Sequence, residues 1–126
     1  MINKSIFLTL TLLLAGCTTL ADARLAKGTG SKQTYSNGYD NTWNAAICSL
    51  NRNGLSIASE NKSEKTILAQ RGITAFSYGE NIAVFVEPVS KKETSVEVVS
   101  KKAMQTNIFA PDWSKNILAG VNACMK

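Results

Sequence analysis

Three cysteines, scattered serines and carboxylates, and not a single histidine make up the reactive side chains of this 126-residue sequence. Without histidine the commonest general base, proton shuttle and metal ligand is missing. Nucleophilic catalysis would then need a serine or cysteine activated by lysine or a carboxylate. Ser59 and Lys62 have a Ser-x-x-Lys spacing and Glu60 and Glu64 could pair as acid and base, but all four fall in one polar stretch that reads as a solvated turn. No catalytic residue is assigned, no metal site and no cofactor; the expectation is a non-enzyme. Cys17 has a more informative setting. Lys4 is followed by nine uncharged residues, Ile6 to Leu14, then Ala15, Gly16 and the cysteine, which are the three regions of a secretory signal.

The ending Leu14-Ala15-Gly16-Cys17 resembles the lipobox of bacterial lipoproteins. That resemblance implies acylation of the Cys17 sulfur, cleavage after Gly16 and a second acylation on the new amino group. The competing reading, an uncleaved span, needs roughly 20 apolar residues, and this run is about half that. Residues 1–16 are therefore expected to be a signal peptide, and Cys17 the lipidation site and membrane attachment. Residue 18 is threonine and not aspartate; in a Gram-negative host, similarity to sorted lipoproteins implies the outer membrane, with the domain facing the periplasm.

Cleavage after residue 16 leaves 110 of the 126 residues, enough for one domain with a modest core. Of 14 basic residues only Lys4 is lost, so 13 face 9 acidic ones and the mature chain is near +4. Anionic headgroups suit such a charge. Nucleic acid does not, because export removes it and no base-stacking motif is present. The remaining cysteines, Cys48 and Cys124, would meet an oxidising compartment. A disulfide between them, closing a loop of about 76 residues, is the expected state. Two buried thiols or a redox pair are the alternatives, although a redox CxxC spacing is absent.

Residues 18–32 show no sustained period and carry Gly28 and Gly30, so 17–32 reads as the acylated cysteine plus a flexible tether, on the order of 20 Å long. The folded domain is expected over 33–126. Gln33 to Ser36 is a short edge strand, and Asn37, three residues before Asp40, is the expected helix N-cap. Tyr39, Trp43, Ala46, Ile47 and Leu50 then form one stripe at the helical period, closed by Arg52 and Gly54. Strands are expected at Leu55–Ser59, with Leu55 and Ile57 on one face, and at Thr66–Arg71, with Ile67 and Ala69 opposed to Leu68. Asn81–Glu87 alternates strictly and Pro88 is expected to end it. A hairpin tip at Ser90–Glu93 returns the chain through Thr94–Ser100, with Val96 and Val98 opposite Glu97. Pro111-Asp112 opens a last helix with Trp113, Ile117, Gly120, Val121 and Cys124 in its stripe. The order β-α-β-β-β-β-α predicts an α+β two-layer sandwich: an antiparallel sheet of about five strands with two helices on one face, in the helix-grip or TATA-box-binding-protein-like style.

The run Tyr39-Asp40-x-x-Trp43-x-Ala45-Ala46-x-x-x-Leu50-x-x-x-Gly54-Leu55-x-Ile57 resembles the start of domains in small proteobacterial lipoproteins of unassigned function, and Asn107-Ile108-Phe109-Ala110-Pro111-Asp112-Trp113 extends the likeness. It is more distantly similar to the helix-grip domains of BamC, an accessory lipoprotein of the outer-membrane β-barrel assembly machine. The similarity spans about Tyr35 to Lys126. It implies a fold and carries no catalytic residue.

Binding residues are thus the remaining question. Tyr35, Tyr39, Phe76 and Tyr78 are candidates for an exposed aromatic patch, against core packing for Tyr39 and Phe76. Lys91, Lys92, Lys101 and Lys102 are candidates for a basic end of the long hairpin, against simple solvation of an edge. Converging lysine pairs would favour phosphate-bearing lipid. Separated pairs would favour an envelope protein on the helix-free face of the sheet. The expected function is a membrane-tethered interaction or accessory domain; an inhibitor or binder of a periplasmic enzyme, glycan or lipid, using the loops Gly72–Asn81 or Lys101–Ala110, is the second reading.

Overall fold

Two valine-rich strands form the spine of the domain. In a computed structural model, which describes residues 19–72, 79–102 and 112–125, β4 (Glu80–Ser90) and β5 (Glu93–Lys102) pair antiparallel with Val84 opposite Val98 and Val86 opposite Val96. A two-residue turn, Lys91-Lys92, joins them. Side chains alternate across a strand, so Ile82, Val84, Val86, Val96 and Val98 all point to one face, where they are fully buried. Around this hairpin β1 (Ser31–Tyr35), β2 (Ser56–Asn61) and β3 (Thr66–Arg71) complete a five-stranded antiparallel sheet in the order β1-β5-β4-β3-β2. β3 has the expected ends, and Ile67 and Ala69 are core while Leu68 points away.

Among the described residues three helices accompany the sheet: α1 (Leu20–Leu25), α2 (Tyr39–Arg52) and α3 (Ser114–Cys124). The two long ones, α2 and α3, cover the valine face as expected of an α+β two-layer sandwich. Trp43, Ala46, Leu50, Trp113, Ile117 and Val121 lie in one core with the strands. Helix α2 stops where a glycine can turn it. Gly54 has φ +73°, its N–H bonds Asn51 O and the Leu55 N–H bonds Leu50 O, the paired bonds of a Schellman ending.

Several boundaries differ from those expected. Helix α2 is capped by Gly38 and not by Asn37; the Asn37 carbonyl accepts the Thr94 hydroxyl at 2.8 Å, which keeps Asn37 with the strands. Strand β4 does not end at Pro88 but passes through it to Ser90, with a register shift between the two. Val86 N–H donates to Lys65 O, so Pro88, two residues on, turns its donorless nitrogen to the same side, beyond the last β3 pair at Thr66–Phe85. Proline there deprives no ladder of a bond. The largest correction concerns the tether over 17–32. Residues 20–25 are helical, and β1 begins at Ser31, two residues earlier than expected.

Helices α2 and α3 touch closely because Gly120 faces Ser49. A Cβ on Gly120 would come within 2.2 Å of Ser49 Oγ, and that hydroxyl donates to Ile117 O at 2.6 Å. The approach brings Cys48 and Cys124 together as a disulfide with Cα atoms 6.2 Å apart. Since the bond closes a loop of 76 residues, the Cys48→Ser/Cys124→Ser variant should lose about 4 kcal/mol of unfolding free energy. The check is a denaturant titration of both forms. An unchanged midpoint would mean that packing alone holds the two helices.

Candidate functional site

The structure separates the residues expected to act together. Tyr35 is 5% exposed and donates its hydroxyl to Leu118 O at 2.7 Å; burial pushes its pKa up to about 12. It is core and not part of an aromatic patch. Tyr39 is half-buried, 6.0 Å from the Trp43 ring. Cys17, Phe76 and Tyr78 lie outside the described residues. Lys91 and Lys92 form the hairpin tip, whereas Lys101 and Lys102 end β5 at the far side of the sheet. Ten residues of strand put the pairs about 30 Å apart, so they do not converge. The helix-free face that separation would favour is not bare either.

On that outer face, away from α2 and α3, the chain before β1 is clamped down. Glu97 is 7% exposed, and its Oε2 accepts the backbone N–H groups of Gly28 at 2.7 Å and Gly30 at 2.9 Å. Both donors are bound by a charged acceptor, among the stronger hydrogen bonds. Gly30 is required at this contact, since a Cβ there would lie 2.3 Å from Val98 O. Upstream, α1 lays Ala23 against Ala83, Phe85 and Val99, with Leu68 and Ala26 beside them. Arg24 pairs with Glu64 and Lys27 with Glu87, while the Lys27 ammonium stands 5.5 Å from the Phe85 ring centroid. The hydrogen bond from Lys27 holds the Glu87 carboxyl below its ordinary pKa against partial burial, with Lys65 and Lys32 near enough to add to the effect.

This clamp was missed in the sequence, although a signal for it exists. Thr19 and Asp22 have the spacing of a capping box, and the structure forms it: Asp22 N–H donates to the Thr19 hydroxyl, and Thr19 N–H to the Asp22 carboxylate at 2.7 Å. The clamp is made of hydrogen bonds, two ion pairs and a small apolar contact. It fixes backbone to sheet.

A second feature lies at the end of the sheet from which the β3–β4 and β5–α3 connections leave. Arg71, Glu80 and Lys102 are successive register partners on neighbouring strands. Alternation from Ile82 puts all three on the helix-covered face. Glu80 is 1% exposed, and the Arg71 guanidinium lies 4.9 Å from the Trp113 ring centroid. The Trp113 indole nitrogen is buried with no hydrogen-bond partner among the described residues. Nearby, β1 begins opposite Val98 and does not run along the last residues of β5. An open polar cleft of about 120 Å³ lies there, lined by Thr29, Ser31, Ser100, Lys101, Asp112 and Ser114 among others. It is well short of the roughly 300 Å³ at which small-molecule sites begin.

Glu97 generates a direct test. Glu97→Ala would remove the charged acceptor from two part-buried N–H groups and should cost about 2 kcal/mol. Glu97→Gln keeps a neutral acceptor and should cost about 1 kcal/mol. Chemical denaturation of the three proteins checks the order; equal stability of all three would show that the clamp bears no load. Comparison with known proteins adds no relative to this geometry: no family model matches the chain, and no curated protein matches it.

Proposed function

We propose that this chain is a non-catalytic envelope lipoprotein, anchored through acylated Cys17 on the periplasmic side of an outer membrane and serving as a protein-interaction or accessory domain. The observation that carries the reading is a pairing: a signal ending in Leu14-Ala15-Gly16-Cys17 stands before a domain whose other two cysteines are bonded to each other. Disulfides persist in oxidising compartments, which is where such a signal delivers a protein. No described helix is long and apolar enough to cross a membrane; the attachment we propose is the lipid on Cys17. The distant likeness of Tyr39–Ile57 to the domains of BamC supports an accessory role.

One observation favours the inhibitor or ligand-binding reading as a second. The two loops that sequence offered for it leave the sheet at adjacent register positions, Arg71, Glu80 and Lys102, beside a tryptophan whose buried indole N–H has no hydrogen-bond partner among the described residues. Loops placed together on a rigid sheet end are a common way to present a binding anchor.

Expression of the wild-type precursor with a fatty-acid analogue should label the protein, and Cys17→Ser should lose the label and leave precursor or soluble protein. Crosslinking in intact envelopes should then recover a specific protein partner with the wild type. Persistent labelling of the Cys17→Ser protein contradicts the anchor. Hydrolase or transferase activity of the purified protein, with no crosslinked partner, contradicts the non-catalytic reading. Calorimetry against lysozyme and glycan fragments separates the second reading from the first.

A further inference from the structure

We propose that the outer sheet face, through α1, Lys32 and Lys65, lies on the headgroup layer of the same bilayer that receives the lipids of Cys17, with Leu25 seated among the headgroups. The inference rests on the lipid-anchor reading and adds an orientation and a contact surface to it.

Chain length keeps α1 close to the lipidated cysteine. Thr19 caps α1 and is two residues beyond Cys17, so a fully extended chain allows at most about 7 Å between them. The six residues of α1 add about 9 Å. Because Glu97 and the Ala23 contact hold this segment to the sheet, the slack assumed for a 15-residue tether does not exist. Acyl chains in the bilayer bring α1 to its surface.

Helix α1 also shows an apolar side chain to its surroundings. Ala23 faces the sheet, fully buried, and Leu25 points away, 83% exposed. Among the described residues only Leu25 and Val89 are large hydrophobics left exposed. A leucine exposed within about 20 Å of chain from an acylated cysteine has an apolar partner within reach.

Charge also bears on the contact. The carboxylates around α1 are engaged: Asp22 by Thr19, Glu64 by Arg24, Glu87 by Lys27 and Glu97 by the two glycine amides. Lys32 and Lys65 are exposed and have no salt-bridge partner among the described residues. The four cations Arg24, Lys27, Lys32 and Lys65 balance the four carboxylates Asp22, Glu64, Glu87 and Glu97, so the contact is one of individual exposed ammonium groups with phospholipid phosphates and not of a net charge. A contact too weak to hold a free domain suffices here, because the anchor makes it intramolecular.

The test uses the lipidated full-length mature protein, reconstituted in vesicles of phosphatidylethanolamine and phosphatidylglycerol. Cys17 is acylated and Cys48 and Cys124 are bonded, so an introduced cysteine supplies the one free thiol for a nitroxide. Leu25→Cys and, as a control on the exposed side of α3, Asn116→Cys are labelled. Oxygen, which concentrates in lipid, and a water-soluble nickel complex report their surroundings. The expected result is loss of nickel accessibility with high oxygen accessibility at 25, an aqueous signature at 116, and return of position 25 toward the aqueous signature when Lys32→Glu and Lys65→Glu are added. An aqueous signature at 25 in protein that floats with the vesicles overturns this inference and leaves the anchor standing. Shielding of position 25 from both reagents indicates a protein cover and also overturns it. Unchanged accessibility with both lysines reversed overturns the headgroup contact, and protein that does not float overturns the anchor and the inference together.

Discussion

One carboxylate decides where this domain begins. Glu97 reaches back to the amides of Gly28 and Gly30, and the described residues upstream of β1 take their place from that pair of bonds. A six-residue helix has no stability of its own in water. The two ion pairs that accompany α1 are about half exposed, and such pairs contribute roughly 0 to 1 kcal/mol each. Ala23 adds only a methyl group's worth of burial. The Glu97 bonds, charge-assisted and part-buried, are the larger contribution, so α1 stays on the sheet because its C-terminal connection is pinned.

The pin also explains why the chain is glycine-rich there. Gly28 has φ +94°, and Gly30 passes so close to Val98 that no side chain fits. These two glycines look, in a sequence, like the composition of a linker. They are the means by which backbone amides come within reach of a buried acid. Composition alone does not separate a loose segment from a tightly wound one, since both need small residues.

Elsewhere the legibility of the fold follows periodicity. The stripe of α2, the ends of β3 and the alternation of β4 and β5 were readable because each repeats long enough for its period to stand out, and the cysteine pair followed from compartment and count. Helix α1 was not readable by its period, because six residues with one buried alanine leave no stripe. The extent of β4 was hidden by Pro88, whose acceptability depends on where β3 stops. Tyr35 was misassigned because a tyrosine at a strand end serves as readily for the core as for a surface, and only the Leu118 carbonyl decides it. Of the proposed site, the cysteine motif is plain in the sequence. The sheet face that accompanies it is not, since Glu97, Gly28 and Gly30 meet across 67 to 69 residues.

The account turns on whether residues before β1 belong to the folded body or hang free. Amide hydrogen exchange of Ala23, Ala26, Gly28 and Gly30 in the mature protein answers this most directly, because each of these amides has an acceptor in the structure. If the clamp is correct, Gly28 and Gly30 exchange much more slowly than an unstructured glycine, and both slow further with the stability of β5. Exchange of all four at the rate of an unstructured chain, while the β4 and β5 amides stay protected, would contradict the account and restore a free tether between lipid and domain.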